Sequence, residues 1–173
     1  MALEGKVVAI LAEDLYEDLE LLYPYYRLKE EGAQVVVVGS AGASSYASKH
    51  GYPVSVDRQA SDVEAASVDA IIVPGGYAPD RMRRHEDMLT LVKSAFEQGK
   101  VVAVICHGPW VAISAGIVAG RRMTSTRAIK DDVVNAGAQW LDEEVVVDSN
   151  LISSRSPSDL PAFCRAIITA LRE

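Results

Sequence analysis

The stretch that most constrains this chain is Val101-Val-Ala-Val-Ile-Cys-His-Gly-Pro-Trp110. An unbroken apolar run from Val101 to Ile105 suits a strand buried on both faces of a parallel sheet. Pro109 then opens an apolar segment, and proline fits the first helical position because it lacks an N–H and its φ is already helical. Cys106 is therefore predicted to sit on a sharp strand-to-helix turn, the geometry of a nucleophile elbow. A thiol there would face the positive end of a helix, which favours the thiolate. Burial as a small apolar residue is the competing reading of a single cysteine.

The same alternation recurs along the 173 residues. Lys6–Ala12, Gln34–Val38 and Asp69–Val73 read as further buried strands. A helical segment runs to Glu31, with Leu15, Leu19, Leu22, Tyr23 and Tyr26 at helical spacing, Pro24 as a predicted kink and Gly32 as the C-cap. Residues 39–48 read as loop with a hairpin, 52–57 as a short strand and 62–66 as a helical turn. Glu86–Gln98 forms a helix with Met88, Leu91, Val92 and Ala95 inward, and Ile129–Ala136 another. Val145–Val147 and Leu151–Ser153 flank the turn Asp148-Ser-Asn150 as a hairpin. A final helix from Ser156-Pro157 carries one apolar stripe that includes Cys164, which is expected to be packing. The predicted architecture is α/β: an open, mostly parallel sheet with helices on both faces, flavodoxin-like and similar to class I glutamine amidotransferases, in a single domain over 1–173.

In such sheets ligands bind beyond the carboxyl ends of the strands. Glu13–Glu17, Pro74-Gly75-Gly76 and Cys106-His107 all fall at such ends. A thiol nucleophile needs a group that relays its proton and donors for an oxyanion. The N–H groups of His107 and of Gly75-Gly76 can serve as donors, and Glu17 as a buried carboxyl bonded to the sulfur. A helix-capping carboxylate is the alternative for Glu17.

Composition narrows the function. A net charge of −7 argues against nucleic acid. The short clusters at 81–84 and 121–122 read as solvated faces or as contacts to another acidic subunit. No apolar run approaches a membrane span, and the N-terminus lacks the apolar core of a signal peptide. The two cysteines suggest no disulfide scaffold, so the expected setting is cytoplasmic. Of the three histidines, His50 and His85 are expected at the surface. The C-terminal region lacks the His-x-Glu pair an amidotransferase needs. No cofactor motif and no metal-ligand spacing occurs, so neither cofactor nor metal is expected.

Several motifs resemble the ThiJ/PfpI superfamily, in its PfpI branch of intracellular proteases, general stress proteins and protein deglycases. They are Glu17–Gly32, Lys49-His-Gly-Tyr52, Pro74-Gly-Gly-x-Ala-Pro79, Ile105-Cys-His-Gly-Pro109, Ile113-Ser-Ala-Gly116, Ile129-Lys-Asp-Asp132, Asn135-Ala-Gly137 and Glu144-Val-Val-Val-Asp148. The resemblance implies Cys106 as nucleophile, Glu17 as the carboxyl on its sulfur, and His107 as base. It places the oxyanion donors at Gly76 and His107. It also implies that Asp80, where protease members carry Glu, orients His107 of a neighbouring subunit, and hence a homodimer or hexamer. Trp110 stands where Gln is familiar, and Thr126 where a Tyr near the site is familiar. Both bear on the pocket. Three functions follow as expectations. The first is an enzyme acting on small aldehydes or early glycation adducts and releasing a 2-hydroxy acid. The others are a cysteine peptidase with an intersubunit Cys106-His107-Asp80 triad, and a redox-responsive stress protein.

Overall fold

A computed structural model describes all 173 residues. Its centre is a seven-stranded sheet in the order β10-β11-β7-β6-β1-β2-β5. The inner strands are β1 (Val7–Leu11), β2 (Gln34–Gly39), β6 (Ala70–Val73) and β7 (Val101–Ile105), parallel and buried nearly throughout. These are the continuous Val/Ile runs of the sequence, which only a sheet covered on both faces can bury. One short strand, β5 (Arg58–Gln59), extends the edge beside β2, and it carries no apolar signal. At the other edge β11 (Leu151–Ser154) pairs parallel with β7. The hairpin partner β10 (Val145–Asp148) is antiparallel to it.

Helices α1 (Asp18–Glu30) and α6 (Leu160–Arg172) pack together against the sheet. On the opposite face lie α2 (Ala78–Met82), α3 (Glu86–Glu97) and α4 (Pro109–Ser114), with α5 (Lys130–Asn135) against α4. In α3 the inward residues are Met88, Leu91, Val92 and Ala95, as the spacing predicts. Cys164 is buried in the α6 stripe. The short strand expected over 52–57 is β4 (Pro53–Ser55), which pairs antiparallel with β3 (Ser45–Ala47); a second small pair, β8 (Arg122–Met123) with β9 (Gln139–Trp140), was not legible in the sequence. The longest helices have 13 residues, and none is long and apolar enough to cross a membrane.

Helix α1 corrects one expectation. Its predicted apolar stripe lies outward, with Leu19 at 55% and Tyr26 at 60% exposure. The buried face is instead Glu20, Leu21, Pro24 and Leu28. Period alone located a stripe, but docking against the sheet selected the face that carries Leu21, Pro24 and Leu28.

The chain crosses from β1 to β2 on one side and returns to β6 on the other. The carboxyl ends of β1 and β6 therefore diverge and leave a crevice. Cys106 follows β7, the next strand over.

Candidate active site

Three strand ends meet at this crevice. Cys106 closes β7 with φ of 63°, a left-handed backbone that a β-carbon disfavours. Its N–H donates to Ser154 O at 3.0 Å, and its carbonyl accepts from the Thr126 N–H at 3.0 Å. The strained residue is thus held from both sides, and the elbow predicted from Ile105-Cys-His-Gly-Pro109 is present.

The loop after β6 presses against it. A β-carbon on Gly75 would lie 2.5 Å from Glu20 Oε2 and 2.8 Å from the Cys106 β-carbon. No side chain fits between them. Gly76 adopts φ of 80°, and the N–H groups of Gly76 and His107 both donate toward the Cys106 sulfur. The two donors named from the sequence therefore converge on the thiol.

The carboxyl beside the thiol is Glu20, and Glu17 is displaced from the role expected of it. Glu17 is the N-cap of α1: its Oε2 accepts the Glu20 N–H at 3.0 Å, and its own N–H donates to Gly75 O at 3.1 Å. An N-cap side chain turns back to satisfy the open amides of the first turn, so it cannot also enter the core. Glu20, one turn later, is fully buried, and its Oε2 accepts the Gly75 N–H at 2.7 Å. The other oxygen, Oε1, is buried without a nitrogen or oxygen partner. A signal for Glu20 did exist. It falls in phase with Pro24 and Leu28, at i, i+4 and i+8 along the buried face.

Burial and the Glu17 charge push the Glu20 carboxyl up to about 7. The Cys106 thiol is pushed up to about 12 by burial and by the neighbouring Glu20, against the pull of the His107 and Gly76 amides. The expected thiolate-favouring helix end is therefore outweighed: α4 is short, whereas burial beside a carboxyl acts directly on the sulfur. At neutral pH the thiol therefore keeps its proton while the Glu20 carboxyl beside it is in mid-titration.

His107 is half-buried, with Nδ1 3.4 Å from the Cys106 sulfur. Burial, and then Lys49, pull its pKa below 6.5. Its ring meets Trp110 edge-on, with centroids 5.1 Å apart. Trp110 is pinned in turn by a 2.8 Å bond from Nε1 to Asp132, with Arg83 5.5 Å over its ring. The indole thus forms a fixed wall beside His107, and Thr126 contributes its backbone N–H.

Asp80 lies on α2 and bonds Arg84 at 2.5 Å with about half of its side chain exposed. Within one chain no carboxylate bonds His107. His50 is exposed and pairs with Asp18 at 2.8 Å. His85 is less exposed than expected, because its Nε2 lies 3.3 Å from the buried Glu13.

Comparison with known proteins places the chain among its relatives. A protein from Pyrococcus abyssi named deglycase is 50% identical over 165 residues, covering 95% of this chain and 99% of that one. The Escherichia coli protein named protein/nucleic acid deglycase 2 is 38% identical, covering 96% of this chain and 98% of the other. Among solved structures, a two-domain Anabaena variabilis protein with DJ-1/ThiJ/PfpI-like and ferritin-like domains matches with a TM-score of 0.94 and 45% identity. That match covers 96% of this chain but 48% of the other, so this chain spans about half of the two-domain protein. With residues 6–170 matching the family as a whole, the chain belongs to the DJ-1/PfpI family.

Proposed function

We propose that the protein is a cysteine-dependent enzyme that converts 2-oxoaldehydes, or their early adducts on protein side chains, into 2-hydroxy acids. The observation that carries this reading is the fully buried Glu20, in reach of the Cys106 thiol and tied to the Gly75 amide. The names of the relatives from Pyrococcus abyssi and Escherichia coli support it.

The steps balance without an external oxidant. Ionised Glu20 takes the thiol proton as the Cys106 sulfur bonds the aldehyde carbon. The Gly76 and His107 N–H groups, which aim at the sulfur, stabilise the oxyanion. That oxygen takes a proton and gives a hemithioacetal. Neutral His107, 3.4 Å from the sulfur, removes the proton from the former aldehyde carbon. The ketone oxygen takes the hydroxyl proton of the hemithioacetal and His107 returns its proton to the adjacent carbon, which makes the ketone an alcohol and leaves a thioester. Water then releases the 2-hydroxy acid and restores the thiol. With a protein adduct, the side-chain amine is the group expelled.

The peptidase reading requires Asp80 of a neighbouring subunit to orient His107, and Asp80 would have to give up its bond from Arg84 to do so. Association into a homodimer or hexamer is supported by the exposed Leu19, Tyr23 and Tyr26 on α1. The two unpaired cysteines fit the cytoplasm.

The test is release of lactate from methylglyoxal by purified protein. It should disappear in Cys106→Ala, and an equal rate in that variant overturns the proposal. Adduct repair is separated from capture of free aldehyde by adding enough unrelated aldehyde scavenger to hold the free pool near zero.

A further inference from the structure

Beside the site the backbone holds a cation that has no partner in the protein. Residues 15–17 run between the 47–49 segment and the loop after β6. Leu15 N–H donates to Ala47 O at 2.8 Å and Lys49 N–H to Tyr16 O at 2.9 Å. On the other side Tyr77 N–H donates to Leu15 O at 2.9 Å and Glu17 N–H to Gly75 O at 3.1 Å. Tyr16 thereby bridges Ser48 and Gly76. Two strand spacings put the Lys49 backbone roughly 10 Å from Gly76, within reach of a long side chain.

The turn around Lys49 is locked. Ser48 Oγ donates to Asp18 at 2.5 Å and accepts the N–H groups of His50 at 3.1 Å and Tyr52 at 2.9 Å. Tyr16 donates its hydroxyl to Tyr52 O at 2.7 Å. Asp18, the carboxylate of this turn, is taken by Ser48 and by His50 at 2.8 Å. Lys49 is exposed and makes no ion pair. Its charge is nonetheless felt by Glu20 and His107, which it pulls downward. A rigid turn that carries an unneutralised ammonium within reach of Glu20 and His107 suits an anion held at the mouth of the site.

We propose that Lys49 binds the carboxylate of the 2-hydroxy acid as it forms from the Cys106 thioester and leaves. This rests on the reaction proposed above. Water adds to the thioester carbonyl, the carbon–sulfur bond breaks and the sulfur takes a proton. The acid releases another to solvent, so a neutral thioester becomes an anion facing Lys49. The starting 2-oxoaldehyde carries no charge, and its binding gains little from the ammonium.

Glycolate and lactate are the probes, titrated by calorimetry into a Cys106→Ser background that cannot turn over. Binding should weaken about fivefold or more in Lys49→Gln, be retained in Lys49→Arg and fall as salt is raised. With Cys106 intact, inhibition of methylglyoxal turnover by glycolate should weaken about fivefold or more in Lys49→Gln. Equal affinity in Lys49→Gln, or no binding to the Lys49 protein, overturns the proposal. If glycolate binding depends on Lys49 but methylglyoxal is not converted, the anion site stands and the reaction falls. If turnover is present but glycolate inhibits Lys49→Gln equally, the reaction stands and the anion site falls.

Discussion

Glu20 and Gly75 are joined by a 2.7 Å hydrogen bond between residues 55 positions apart, from the Gly75 N–H to Glu20 Oε2. Through it, helix α1 fixes the loop that carries the Gly76 donor, and the carboxyl is held against the elbow of β7. The position of one side chain thus sets how the carboxyl and the Gly75-Gly76 loop lie against the thiol.

The two glutamates of this turn are predicted to separate cleanly. Glu20→Gln should lower kcat/KM for methylglyoxal by about 100-fold or more, the range for loss of a general base. Glu17→Ala should keep most of the activity and lose about 1 kcal/mol of stability through the lost N-cap. Steady-state rates and urea unfolding of both variants check this. The reverse ranking would return the role to Glu17.

Stability should carry the mark of Glu20. Its folded value of about 7 lies above its ordinary 4.5. Between these limits the folded state holds a proton that the unfolded state has lost, so its contribution falls as pH rises through this window and levels above it. The difference across the window is about 3 kcal/mol. Urea midpoints at pH 5 and pH 8 should therefore diverge more in the parent than in Glu20→Gln. Activity runs the other way, rising through pH 7 as Glu20 becomes a base.

The two cysteines should differ in access while sharing a high pKa. Both thiols are pushed up to about 12, Cys106 by burial and Glu20, Cys164 by burial. Only Cys106 is partly exposed; Cys164 is 1% exposed in the α6 stripe. Iodoacetamide should modify Cys106 slowly at neutral pH and faster in alkali, and spare Cys164 in the folded protein. In Glu20→Gln the Cys106 thiolate, followed by its ultraviolet absorbance, should appear at lower pH.

Gly75→Ala should damage the site more than the fold. The added methyl meets Glu20 Oε2 and the Cys106 β-carbon at 2.5 Å and 2.8 Å, so the loop or the elbow must move. A loss of about 1–3 kcal/mol is expected from such overpacking. Because the Gly76 donor moves with the loop, kcat should fall while KM changes less. Thermal unfolding alongside kinetics would show it.

By itself the sequence determined the inner strands, the elbow at Cys106 and the glycines after β6. Each is a local requirement: an unbroken apolar run must be covered on both faces, and a strand that turns into a Pro-started helix leaves its last residue at the turn. It also indicated Cys106 and His107 as neighbours, because they are adjacent in the chain. Tertiary structure decided which glutamate meets the sulfur. Glu17 and Glu20 are the same residue type three positions apart at the start of α1. Docking of Leu21, Pro24 and Leu28 on the sheet rotated Glu20 inward and left Glu17 to cap the helix. The protonation of the thiol was decided there too, since its pKa depends on burial and on the Glu20 carboxyl of helix α1. Such shifts arise from low dielectric and nearby charge, and neither is a property of a residue's place in the chain.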